Sequence, residues 1–163
     1  MEENEELYRN FVEDFSSRIF EITDGITYSN IIFLCIGTQR LTGDAFGPLT
    51  GTRLTNLFRN ANRLNVIGNL NNNISLCNVN EAMNNINSTY TNPFIIAIDA
   101  ALSSQDNIGK ILVTDGAIQL GSSLNRTGIQ VGDMSIRGVV RKKYREYKSK
   151  YEYTQKCTIR KSY

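Results

Sequence analysis

The sequence predicts an α/β fold, a largely parallel β-sheet covered on both faces. Two apolar runs carry that expectation, Ile31-Ile32-Phe33-Leu34-Cys35-Ile36 and Phe94-Ile95-Ile96-Ala97-Ile98. Neither alternates apolar with polar residues, so each reads as a strand buried on both sides, as at the centre of a parallel sheet. Helical patterns separate them, the order expected of an α/β chain. Length agrees: 163 residues, 40% hydrophobic and 21% charged, suit one core at roughly 100–200 residues per domain.

Taken in order, residues 4–20 place Leu7, Phe11, Phe15 and Ile19 at four-residue intervals, one face of a helix that Gly25 ends. The strand at 31–36 is closed by Gly37. A loop from Thr38 to Gly47 leads into a helix near 48–60, with Pro48 in its first turn and an apolar stripe of Leu49, Leu54, Leu57 and Phe58. Residues 66–70 form a short strand. Residues 80–90 form a helix with Ala82, Met83 and Ile86 inward. Pro93 starts the second buried strand and Asp99 stops it. Strands at 110–114 and 134–140 follow, joined through turns at Asp115-Gly116 and Gly121-Ser122-Ser123. An Asn-rich patch at 69–73 is the only biased segment inside the domain.

Composition removes whole classes of chemistry. There is no histidine, which excludes Ser-His-Asp and Cys-His nucleophiles and His-ligated metals. Cys35, Cys77 and Cys157 form no CxxC and are odd in number, which argues against a disulfide framework or a zinc site and for a reducing, cytoplasmic setting. The longest apolar run falls far short of the ~18 residues of a membrane span. The acidic start, Met1-Glu2-Glu3-Asn4-Glu5-Glu6, is unlike a secretory signal. No metal and no cofactor is expected.

The net charge of +2 hides two opposed parts. Residues 1–140 hold nine Lys/Arg against fourteen Asp/Glu, and residues 141–163 hold nine against two, with five of the eight tyrosines. The tail reads in three ways: a divergent or frame-shifted end, a charged surface helix, or a nucleic-acid arm with cations on phosphate and rings on bases. The weight of these lies against nucleic acid. The chain divides into an N-terminal helical segment (1–28) packing on the domain, an α/β domain (29–140) and the basic Tyr-rich tail (141–163).

Ligands of parallel sheets bind outside the carboxyl ends of the strands. Two acids fall there: Asp44, in the loop after the first buried strand, and Asp99, directly after the central one. An acid after a run of apolar residues is costly to place unless it is paired, hydrogen-bonded, protonated or functional. At ~4 Å and an effective dielectric near 20, two carboxylates repel by about 4 kcal/mol, enough to separate their apparent pKa values by about three units. One proton is then shared, so that one carboxylate activates water and the other protonates the leaving group. Structural alternatives stand beside this. Asp44 also fits a helix cap, and Asp99 a loop anchor accepting backbone N–H groups. Gly43, Gly47 and the hydroxyls of Thr38 and Thr42 would shape the loop for a substrate. Backbone amides at Gly37–Thr38 or at the helix start would receive a developing oxyanion.

The segments CIGTQRLTGDAFGPLTGTRL, NPFIIAIDAAL, ILVTDGAIQLGSSLNRTG and VGDMSIRGVV occur in that order. Over roughly residues 29–140 they resemble the YyaC-type sporulation proteins of endospore-forming Firmicutes. That family is similar to the germination protease that degrades small acid-soluble spore proteins, and more distantly to hydrogenase-maturation endopeptidases. The resemblance implies a three-layer α/β/α sandwich of the phosphorylase/hydrolase type. It also implies that the protease's two functional aspartates correspond to Asp44 and Asp99. The implied activity is an endopeptidase acting on a protein or peptide, a spore protein among the candidates, in the mother cell, forespore or spore core.

The chain departs from these relatives in places. It lacks histidine, which the metal-dependent maturation enzymes use. It is shorter than a full germination protease, its basic tail stands where the family has an apolar helix, and Gln39 replaces a frequent acid. A non-catalytic protein-binding relative that keeps the fold is the competing expectation.

Overall fold

The computed structural model describes residues 2–120 and 128–142 of the chain. The turn expected at Gly121-Ser122-Ser123 and the tail from residue 143 lie outside the described residues. Helix α1 spans Glu2–Thr23, followed by β1 (Ile31–Cys35), α2 (Phe46–Leu57), β2 (Leu64–Ile67), α3 (Val79–Thr89) and β3 (Phe94–Ser103). Strands β4 (Ile111–Asp115), β5 (Ile118–Leu120), β6 (Ile129–Val131) and β7 (Met134–Lys142) complete the order.

Five strands form one sheet in the order β2-β1-β3-β7-β4. The β2–β1, β1–β3 and β3–β7 pairs are parallel, and β4 runs antiparallel along β7 at the edge. The two apolar runs lie side by side, Ile31 opposite Phe94 through Cys35 opposite Ile98. Their residues divide between two cores by alternation along the strands. One core joins Ile32, Leu34, Ile36, Ile95 and Ala97 to Val79, Ala82 and Ile86 of α3 and to Ile118, Leu120 and Val131 of the β5–β6 hairpin. The other joins Phe33, Cys35, Ile96, Ile98 and Ile136 to Phe15, Ile19 and Ile22 of α1 and to Leu54 and Phe58. The result is the three-layer α/β/α sandwich, with α1 and α2 on one face and α3 with the hairpin on the other.

Three local expectations are corrected. Of the stripe expected on α2, Leu54 and Phe58 pack on the core but Leu49 and Leu57 do not. Leu49 and Leu57 are exposed (52% and 73%), while Gly47, Pro48 and Gly51 are buried. Small residues let this helix lie close to the strands, and that proximity turns the larger leucines outward. Strand β3 does not stop at Asp99; it runs on to Ser103 because β7 continues to pair it as far as Lys142. The hairpin β5–β6 was not expected at all. Its strands have three residues each, too short for a periodic signal.

Cys35 is a buried free thiol. Among the described residues, no helix is long and apolar enough to cross a membrane.

Candidate functional site

The site lies where β1 ends and β3 does not. Cys35 pairs with Ile98, and Ile36 N–H still donates to the Ile98 carbonyl (2.7 Å). The next residue of β3, Asp99, has only β7 beside it, opposite Arg137. The chain leaving β1 folds back over this position. Residues Thr42–Asp44 form one turn of 3-10 helix, and α2 begins two residues later.

Two glycines allow that fold-back. Gly37 has φ +137°, and a Cβ there would fall 2.1 Å from the Asp44 carbonyl oxygen. A Cβ on Gly47 would fall 1.9 Å from the Ile36 carbonyl oxygen. Any side chain at either point would push the loop off the strand end. The Asn-rich patch fixes the other side: Gly37 N–H donates to the Ile74 carbonyl (2.7 Å), and Asn73 Nδ2 donates to the Gly37 carbonyl (3.3 Å).

Asp44 is held by Thr38, whose N–H donates to Asp44 Oδ2 and to the Asp44 carbonyl, both at 3.0 Å. It does not cap α2, whose N-cap is Ala45 with no side-chain bond. The capping alternative is therefore set aside. Thr38 is buried, and its hydroxyl accepts the Arg40 N–H (3.3 Å). Gly43 faces Val140, and the side chain of Thr42 lies outside what is described. The amides of Gly37 and Thr38 are not open to an oxyanion, because the first is given to the Ile74 carbonyl and the second to Asp44.

Asp99 accepts the Ala100 N–H on Oδ1 (2.8 Å). Burial raises its pKa to about 7; the Ala100 N–H and Arg137 oppose the rise, and the charge of Asp44 adds to it. Burial raises Asp44 as well, against the Thr38 N–H. For Asp99 the rise comes chiefly from desolvation, and repulsion by Asp44, expected to dominate, is a smaller cause. Burial thus favours the protonated form of both acids, and Asp99 is brought to about 7.

Sequence reasoning missed Arg137. Its Nε is buried and has no hydrogen-bond partner among the described residues, an arrangement that costs about 1–3 kcal/mol. The signal was present: a cation in the apolar segment Met134-Ser135-Ile136-Arg137-Gly138-Val139-Val140 is as costly as the acid that drew attention to Asp99. Among the described residues, no group of three or more His, Cys, Asp or Glu is placed to hold a metal ion.

Fold and site together define a three-layer α/β/α protein with two carboxylates on the rim of its parallel strands. The chain belongs to the family described as "Protein of unknown function (DUF1256)", which matches residues 1–162. It is similar to the "Uncharacterized protein YyaC" of Bacillus subtilis (strain 168), with 36% identity over 110 residues. Those residues are 68% of this chain and 53% of that protein, so the chain spans about half the length of the curated relative it matches. The resemblance to YyaC-type proteins is thereby borne out. No solved structure matches the chain.

Proposed function

We propose that this protein is an endopeptidase of the germination-protease type, hydrolysing peptide bonds of a protein substrate with the pair Asp44 and Asp99. The observation that carries the reading is the unequal setting of the two acids: Asp44, in the loop after β1, takes the Thr38 N–H on its carboxylate, while desolvation brings Asp99, on the rim of β3, to a pKa of about 7, where it can carry a proton. That inequality assigns the roles. Asp44 is the base that takes a proton from water, and Asp99 is the acid that protonates the departing nitrogen. Position favours the same reading, since the rim beyond the carboxyl ends of parallel strands is where such folds receive ligands. The resemblance described above makes a spore protein the substrate class.

The test is cleavage of small acid-soluble spore protein and of a hexapeptide library by wild type, Asp44→Asn and Asp99→Asn. Wild type is expected to cleave and each variant to lose about 10²–10⁴ in rate. If wild type cleaves and both variants cleave as well as it does, the acid pair is not the machinery. No turnover by wild type, with partner binding unchanged in the double variant, would instead establish the binding relative.

A further inference from the structure

We propose that Arg137 is the oxygen-binding member of this site: its guanidinium receives the carbonyl oxygen of the peptide bond under attack and holds the charge that develops there. This rests on the peptidase reading and adds a catalytic residue to it.

Four observations lead there. Arg137 is the register partner of Asp99 across the parallel β3–β7 pair, so by strand alternation the two side chains leave the same face of the sheet. Its Nε is buried and unpartnered among the described residues, although Asp99 lies close enough to feel its charge. The donors first expected to serve an oxyanion, the amides of Gly37 and Thr38, are bonded to Ile74 and Asp44. Finally, a guanidinium presents its N–H donors in a rigid planar fork, a geometry suited to holding an oxygen. An N–H that has given up water without taking an acceptor is organised before any ligand arrives, the condition under which such a donor is most effective.

The chemistry requires such a group. Water oxygen bonds to the carbonyl carbon while its proton passes to ionised Asp44, and the π pair of the C=O bond moves onto the oxygen. Neither carboxylate can neutralise that charge while serving as base and acid, but a guanidinium can. On collapse the C=O bond re-forms, the C–N bond breaks, and the nitrogen takes the Asp99 proton. The proton gained by Asp44 then passes to Asp99 through solvent, restoring the starting state, so the sum is peptide plus water giving carboxylic acid plus amine.

Two measurements on the full chain test the proposal. In cleavage assays Arg137→Gln is expected to lower kcat by about 10²–10³ with KM within about threefold. Arg137→Lys is expected to recover only part of the loss, and added guanidinium to restore rate to Arg137→Ala, which a misfolded protein cannot show. The second measurement needs no turnover: retention of a labelled hexapeptide library on immobilised protein, with a central ketomethylene (oxygen kept) or a central CH2–CH2 (oxygen removed). Wild type is expected to prefer the ketomethylene library at least about tenfold, and Arg137→Gln to show no preference. If wild type prefers the ketone through Arg137 yet cleaves nothing, the peptidase reading falls and carbonyl recognition by Arg137 stands. If the Asp variants abolish cleavage while Arg137→Gln keeps its kcat, the proposal is overturned and the peptidase reading stands. Equal retention of both libraries by wild type, or retention of neither, also overturns it. A residue that only tuned Asp99 would shift the pH profile and leave the ketone preference intact, which overturns it too.

Discussion

Asp99 and Arg137 are neighbours across the β3–β7 ladder, at the first position of β3 that β1 no longer covers. Opposite charges in such a place ordinarily meet. Here Asp99 takes its hydrogen bond from the Ala100 amide, and Arg137 Nε takes none. The acid is therefore free to keep a proton, and the cation to accept a foreign oxygen.

Stability is expected to fall as the solution becomes less acidic. Asp99 binds its proton more tightly in the folded chain, where its pKa is about 7, than at its ordinary 3.8. Its contribution is fully present below 3.8 and is lost as pH rises through 7. The loss is on the order of 4 kcal/mol. Urea unfolding at pH 5 and pH 8 is expected to show somewhat over half of this fall in wild type, the rest being lost below pH 5. In Asp99→Asn the slope should flatten and stability at pH 8 should rise, and an equal slope in the two proteins would contradict the assignment.

On the proposed peptidase reading, the same proton would govern activity. Hydrolysis is expected on a bell-shaped profile whose alkaline limb falls near pH 7, as Asp99 loses its proton. The acidic limb is expected above the ordinary aspartate range, where Asp44 gains one. Because Arg137 holds Asp99 down, Arg137→Gln is expected to move the alkaline limb upward in whatever activity remains. A limb that stays in place would separate the two residues.

Replacing Gly47 by alanine is expected to cost about 3 kcal/mol or more, because the added carbon would sit 1.9 Å from the Ile36 carbonyl oxygen. Loss of expression, or a matching drop in the urea midpoint, would show it. The control is Gly25→Ala: nothing lies within 4 Å of a Cβ there, and the cost is only that of φ +70°.

Asn78 sits at the start of α3 but does not cap it. Its Oδ1 accepts the Ser75 N–H (2.7 Å), and its Nδ2 donates to the Asn73 carbonyl (3.1 Å). Asn78→Ala is expected to cost about 1–2 kcal/mol and to loosen the segment that holds Gly37. Faster amide exchange at Gly37 in the variant is the measurement.

Cys35 is expected to resist alkylation until the chain unfolds, since burial pushes its thiol up to about 12. Its labelling rate at pH 8 should follow the unfolding rate as urea is raised. Fast labelling of native protein would contradict the buried position.

The buried strands, and the place of Asp99 on the rim, were legible because both rest on local arithmetic: four or five consecutive apolar residues, then a charge. What escaped depended on distant partners. Asp99 looked like a strand end because nothing in Phe94–Ser103 reveals that β7 pairs it beyond β1. Arg137 was not singled out, because the lack of an acceptor for its Nε is a property of its surroundings. Leu49 and Leu57 looked inward because apolarity was counted without the glycines that set how near α2 approaches. The Asn-rich patch looked merely biased, yet its amides hold Gly37 in place.

The strand order also governs how the chain can be assembled during synthesis. Strand β4 has no neighbour in the sheet except β7, which is made after it, and β3 waits for the same segment on its open side. Until residues 134–142 leave the ribosome, a nascent chain carries two half-finished strand edges that invite pairing with other chains. A pause in translation just before Met134 would therefore be the most hazardous moment of this protein's life.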